Sequence, residues 1–156
     1  VQKGFEQAMV NGPLAGYPMD SLKVTLFDGS FHAVDSDALS FELAAKIGYK
    51  AACKSASPSL LEPIMKLEVV TPEEYMGDIM GDISGKRGKI MGMESDGGFQ
   101  IIKAQVPQAE LYHYATTIRS LTGGRGIHSE SLSHYEKMPK DYQQKVIQET
   151  QEERDE

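Results

Sequence analysis

Phe5, Ala8 and Met9 fall at helical spacing near the start of the chain, and Gly12-Pro13 and Gly16-Tyr-Pro18 then interrupt it twice. This predicts a short helix over residues 2 to 11 that ends in a turn. From Ser21, Leu22, Val24 and Leu26 alternate with Lys23, Thr25 and Phe27, the period of a strand with one buried face, and Asp28-Gly29 stops it. Asp28-Gly-Ser-Phe-His32 is then an exposed tip. Asp35 and Ser36 are N-cap candidates for a long helix in which Leu39, Leu43, Ile47 and Ala51 recur every four residues, with Ala44, Ala45 and Ala52 permitting close approach.

The pattern changes at Leu60-Leu-Glu-Pro63, and a domain boundary is placed near Pro63. Met65, Leu67 and Val69 alternate with Lys66, Glu68 and Val70 as a strand. Thr71-Pro-Glu-Glu74 predicts a helix start with Thr71 as cap, and Tyr75, Ile79 and Ile83 form its apolar stripe. Residues 88 to 94 and 99 to 106 predict two strands joined across Ser95-Asp-Gly-Gly98, with Ile102, Ala104 and Val106 on one face. Pro107 opens a helix carrying Leu111, Tyr114, Ala115 and Ile118, which Gly123-Gly-Arg-Gly126 ends. Ile127 to Lys137 is a last strand, polar enough for a sheet edge. The order from Pro63 is β-α-β-β-α-β, the ferredoxin-like arrangement of an antiparallel sheet with two helices on one face. The class is α+β.

Residues 139 to 156 are a charged tail, three cations against six acids, predicted as a frayed helix or disordered end. They contribute −3 to a net charge of −7, which excludes nonspecific clamping of nucleic acid by bulk positive charge, so any RNA contact must be local. The lone Cys53 excludes an internal disulfide framework and fits a reducing cytoplasm. No apolar run approaches the roughly 20 residues of a membrane span. The chain opens on Val-Gln-Lys-Gly inside a helical pattern, which suggests a piece of a longer protein.

Chemistry is sparse. No Gly-x-Ser-x-Gly, Cys/His pair or close carboxylate pair offers a catalytic candidate. Gly123-Gly-Arg-Gly126 follows a helix, the wrong order for a phosphate cradle. His128, Glu130 and His134 share one side of a strand, but their loose spacing, with no fourth ligand, reads as a solvated edge rather than a metal site. Two features stand out. The tip Ser30-Phe31-His32 offers an aromatic and an imidazole for stacking on unpaired bases or reaching phosphates; the alternative is an ordinary turn with Phe31 packed inward. Lys86-Arg87-Gly88-Lys89, with Arg119 and Arg125, is a cationic group in an acidic protein; the alternative is a solvated turn.

Gly16-Tyr-Pro18, Val24-Thr-Leu-Phe-Asp-Gly-Ser-Phe-His32, Val34-Asp-Ser36, Leu61-Glu-Pro-Ile-Met-Lys66, Thr71-Pro-Glu-Glu74, Gly77-Asp78, Gly81-Asp82, Tyr114-Ala-Thr-Thr117 and Arg119-Ser120 together resemble the C-terminal part of the bacterial translation elongation factor G family. The likeness is collinear from about Lys3 to Pro139. It implies that residues 1–62 are the latter part of domain IV, of ribosomal protein S5 domain 2-like fold with its first strands missing, and that residues 63–138 are the ferredoxin-like domain V. In the family, domain IV reaches the decoding centre, where its tip takes the space vacated by transfer RNA. Asp28, Gly29, Ser30, Phe31 and His32 match that tip.

Domain V lies near the GTPase-associated region of the large subunit, touching ribosomal RNA and proteins, which makes Lys86, Arg87, Lys89, Arg119 and Arg125 contact candidates. The resemblance further implies a cytoplasmic, monomeric partner of the ribosome, its messenger RNA and its transfer RNA. GTP and Mg2+ would be held by a G domain outside this chain, which itself has no turnover. Ser84-Gly-Lys-Arg-Gly88 and Ile127-His-Ser-Glu-Ser-Leu132 depart from the family pattern, as in a second-type elongation factor G or a ribosomal protection paralogue. Without the resemblance, the fold would read as a ligand-sensing or interaction domain.

Overall fold

The computed structural model describes residues 1–155; Glu156, the end of the tail, lies outside the described residues. The chain divides into two compact units, Leu61–Lys137 and a second made of Val1–Leu60 with the chain from Met138 onward.

In the first of these, β1 (Leu61–Pro72), α3 (Met76–Gly85), β2 (Lys89–Asp96), β3 (Phe99–Pro107), α4 (Tyr114–Leu121) and β4 (Ile127–Lys137) form a four-stranded antiparallel sheet in the order β2-β3-β1-β4. This is the ferredoxin-like topology, with the polar β4 at an edge. Leu67 pairs with Ala104 and Val69 with Ile102, so the inward rows of the two central strands coincide. Ile79 and Ile83 of α3, and Tyr114 and Ile118 of α4, cover those rows, each 2% exposed or less. Each such aliphatic side chain stabilises the fold by about 1.5–3 kcal/mol through burial alone. Gly97 and Gly98 take positive φ (56° and 89°) in the two-residue turn between β2 and β3, the backbone that matches strand twist there.

Two helix starts differ from expectation. Thr71 and Pro72 do not begin a helix, because both remain in the β1 ladder, opposite Gln100 and Phe99. A 3-10 turn, Glu73–Tyr75, intervenes before α3. The helix predicted from Pro107 is broken into a 3-10 turn, Gln108–Leu111, and α4, because His113 adopts left-handed backbone (φ 53°). The break turns Leu111, Tyr114 and Ile118 inward and leaves Ala115 exposed.

In the other unit, α1 (Gln2–Ala8) lies against α2 (Ala38–Ser55). Gly4 makes the approach feasible, since a Cβ there would sit 2.6 Å from the Glu42 carbonyl oxygen. Phe5 meets Tyr49 edge to face, and Lys3 pairs with Glu42 at 3.3 Å. The buried face of α2 is Ala45, Tyr49 and Cys53, while Leu39, Leu43 and Ile47 are 50–71% exposed. The cap is Asp37 rather than Asp35 or Ser36: its carboxylate accepts from Ser40 N–H at 2.7 Å. Residues 22–27 form no strand, because no strand pairs with them among the described residues, and a ladder needs a partner. The tail forms an ordered helix, α5 (Lys140–Asp155), whose Gln143 accepts from Leu60 N–H at 3.0 Å.

Candidate nucleic-acid contact sites

The tip is built from short polar links. Asp28 Oδ1 accepts from the N–H of the next residue, Gly29, at 2.8 Å. His32 and Ser36 close the far side: His32 N–H donates to Ser36 Oγ at 2.7 Å, and Ser36 N–H donates to the His32 carbonyl at 3.0 Å. Ser36 thus holds the tip instead of capping the helix, and Asp35 faces the imidazole. His32 Nδ1 lies 3.2 Å from Asp35 Oδ2 and 3.4 Å from Val34 N. It cannot donate to the carboxylate and accept from the amide at once, so these two contacts belong to different protonation states of Nδ1.

The aromatic side chains point away from any core. Phe31 is 78% exposed and Phe27 94%. Alternation predicts a strand position for Phe27; with no ladder it joins the tip as a second exposed ring. Alternation cannot reveal whether a partner strand exists.

The cationic group does not gather into one patch. Arg87 donates to both carboxylate oxygens of buried Glu62, at 2.8 and 3.0 Å, and through Nε to Glu110 at 3.1 Å. Those acceptors hold its guanidinium above its ordinary pKa, so it stays charged and engaged. Arg125 bonds Glu74 and the Tyr75 hydroxyl and lies 5.0 Å over the Tyr75 ring; the Tyr75 and Glu74 oxygens likewise push its pKa up. Lys86 sits half-buried, 3.8 Å from Asp82 and 5.8 Å over the Tyr114 ring. Lys89 and Arg119 are exposed and form no ion pair among the described residues.

The glycine-rich turn does not fit a nucleotide phosphate. Gly124 N–H donates to the Arg119 carbonyl, Arg125 N–H to the Thr122 carbonyl and Gly126 N–H to Thr122 Oγ1, so these amides close the end of α4. These three amides are thus engaged within the chain rather than turned toward a phosphate. His128 meets the Tyr114 ring edge-on at 5.3 Å, and His134 bonds Ser133 and Glu136; no group of metal-ligating side chains forms among the described residues.

Comparison with known proteins bears on both units. The family model described as Elongation factor G, domain IV, matches residues 1–57, and that described as Elongation factor G C-terminus matches residues 59–146. The chain is 52% identical over 147 residues to elongation factor G of Aquifex pyrophilus, covering 94% of this chain and 21% of that protein. It is 51% identical over 148 residues to elongation factor G of Amoebophilus asiaticus (strain 5a2), covering 95% and 21%. A crystal structure of a protein from Thermus thermophilus superimposes with a TM-score of 0.85 at 38% identity, over 97% of this chain and 23% of that one. The chain thus spans about a fifth of the length of the curated relatives it matches.

Proposed function

Because the chain belongs to the elongation factor G family, we propose that it is the C-terminal, ribosome-binding portion of a translational GTPase that promotes GTP-dependent translocation of transfer RNA and messenger RNA. On this reading residues 1–62 are the C-terminal part of domain IV, residues 63–138 are domain V, and residues 139–156 are a charged C-terminal tail. GTP and Mg2+ belong to the parent's G domain. The setting is the cytoplasm, and the partners are the RNA of both ribosomal subunits and large-subunit proteins near the GTPase-associated region.

The observation that carries the reading is the tip itself. Phe27, Phe31 and His32 are presented to solvent on a loop tied by its own hydrogen bonds, where they contribute nothing to a core. Exposed rings and an imidazole suit unpaired bases and phosphate oxygens. Their work would be mechanical: occupying a site vacated by transfer RNA and favouring one ribosomal state by binding it more tightly than another. In domain V, Lys89, Arg119 and the half-buried Lys86 are the cations offered to RNA, while Arg87 and Arg125 act by holding the loops around them.

The test compares the full-length protein with its His32→Ala variant, by cosedimentation with bacterial ribosomes in a fixed GTP analogue and by single-turnover translocation. Retained binding with slowed translocation supports the reading. Wild-type protein that neither binds nor translocates overturns it.

A further inference from the structure

His32 and Asp35 are held together by the backbone between them. The His32 N–H donates to Ser36 Oγ at 2.7 Å and the Ser36 N–H to the His32 carbonyl at 3.0 Å, so residues 32–36 form one closed turn of helical type. Side chains three apart on such a turn share a face, and His32 Nδ1 accordingly lies 3.2 Å from Asp35 Oδ2. The Asp35 carbonyl accepts from Ser40 Oγ at 3.4 Å, which ties the turn to the start of α2. Capping that helix falls to Asp37, not to the Asp35 carboxylate. With its side chain 80% exposed, Asp35 also adds little to folding through an ion pair. What it can alter is the imidazole. Nδ1 has two claimants: the carboxylate needs a proton on it, whereas the Val34 N–H, at 3.4 Å, needs a bare lone pair. The carboxylate is the nearer, and a charged acceptor makes the stronger hydrogen bond. The second ring nitrogen, Nε2, makes no hydrogen bond among the described residues, on a side chain 69% exposed.

We propose that Asp35 is a positioning residue for His32: it fixes the proton on Nδ1 and leaves Nε2 as a bare acceptor at the surface of the tip. This rests on the ribosome-binding reading above and narrows what the imidazole can take there. A neutral imidazole protonated on one nitrogen has only a lone pair on the other. That lone pair accepts from a ribose hydroxyl or from the amino group of a base, and it offers nothing to a phosphate oxygen, which cannot donate. Without the carboxylate, the Val34 N–H is the one partner left for Nδ1 among the described residues. The proton then moves to Nε2, and the tip presents a donor where it had presented an acceptor.

The proton's position is read directly by nitrogen-proton correlation spectra of the chain carrying labelled histidine, at about pH 8, where an ordinary imidazole is neutral. Loss of one signal set in His32→Ala assigns the ring. The expected result is a proton on Nδ1 in the wild type and on Nε2 in Asp35→Ala. Asp35→Asn, which keeps an acceptor oxygen without the charge, should give a mixture of the two. In single-turnover translocation by the full-length protein, Asp35→Ala should be slower by about fivefold, the upper end for an exposed ion pair. It should add nothing when His32 is already alanine, because Asp35 acts only through the ring. An unchanged tautomer in Asp35→Ala overturns the inference and leaves the ribosome reading intact. So does a slowing by Asp35→Ala that persists in full in the His32→Ala background, since Asp35 then acts on its own. Wild-type protein that does not translocate refutes the underlying reading, whereas the tautomer measurement is made without ribosomes and stands apart from it.

Discussion

Arg87 sits just past the end of α3 with a φ of 57°, a position at which helices ordinarily place glycine. The following Gly88 closes the turn through its N–H to the Ile83 carbonyl at 2.9 Å, and a Cβ on Gly88 would lie 2.6 Å from that oxygen. The cost of left-handed backbone at Arg87 is offset by its side chain, whose fork reaches Glu62 at the start of β1 and Glu110 before α4. Glu62 is 5% exposed, so removing its partner leaves a buried, unpaired carboxylate. Arg87→Ala should therefore lower unfolding free energy by about 3–5 kcal/mol in urea titration. Arg87→Lys should recover only part of it, because an ammonium cannot serve both oxygens and Glu110 together. A loss below about 0.5 kcal/mol for Arg87→Ala would contradict the ion-pair argument. Nothing in the Lys86-Arg87-Gly88-Lys89 run announces this role: its acids are 25 and 23 residues away, and only the fold brings them in.

At the scale of elements, the pattern was legible where both periodic faces had partners inside the chain. Ile102, Ala104 and Val106 read as one face and are all buried; Ile79 and Ile83 read as a stripe and are fully covered. It misled in α2, where the spacing of Leu39, Leu43 and Ile47 is sound but the buried face is Ala45, Tyr49 and Cys53. Small residues and a tyrosine at helical spacing carry less hydropathy than leucines, yet they allow the close approach that Gly4 completes. Two substitutions should separate the faces. Tyr49→Ala should cost about 3–5 kcal/mol, as for a large buried aromatic, whereas Ile47→Ala should stay within about 0.5 kcal/mol.

The cap of α2 supplies a pH test. Ser40, through its hydroxyl and its backbone N–H, holds the Asp37 carboxyl below its usual value of 3.8. A depressed folded pKa gives stability that is complete above the unfolded value and lost as pH falls through the folded one. The difference in thermal midpoint between wild type and Asp37→Ala should accordingly be largest near neutrality and shrink as pH drops below 3.8, read by far-ultraviolet circular dichroism. A pH-independent difference would mean that Asp37 acts other than as an ionised cap.

Across the whole molecule, protection from hydrogen exchange should separate the two units. In Leu61–Lys137 the central strands β1 and β3 are paired on both sides and overlaid by helices, so their amides can exchange only through global opening. The segment from Lys23 to Phe31 has no ladder, and Val24, Leu26, Phe27 and Phe31 are 45–94% exposed. Its amides should exchange near unprotected rates, while those of Met65–Val70 and Ile101–Val106 should be the slowest in the chain. Helix α2 should lie between, because one face is packed and the other carries three exposed aliphatic residues. The ranking follows from where apolar area is covered, not from local propensity, since residues 22–27 have as good a strand pattern as β1. Strong protection from 23 to 31 in the isolated chain would mean that this segment has found a strand to pair with. A second copy of the chain would be the first place to look, because exposed alternating apolar residues are a template for edge pairing. Repeating the exchange at several protein concentrations decides it: protection that rises with concentration marks pairing between copies, and protection that does not marks a ladder within one chain.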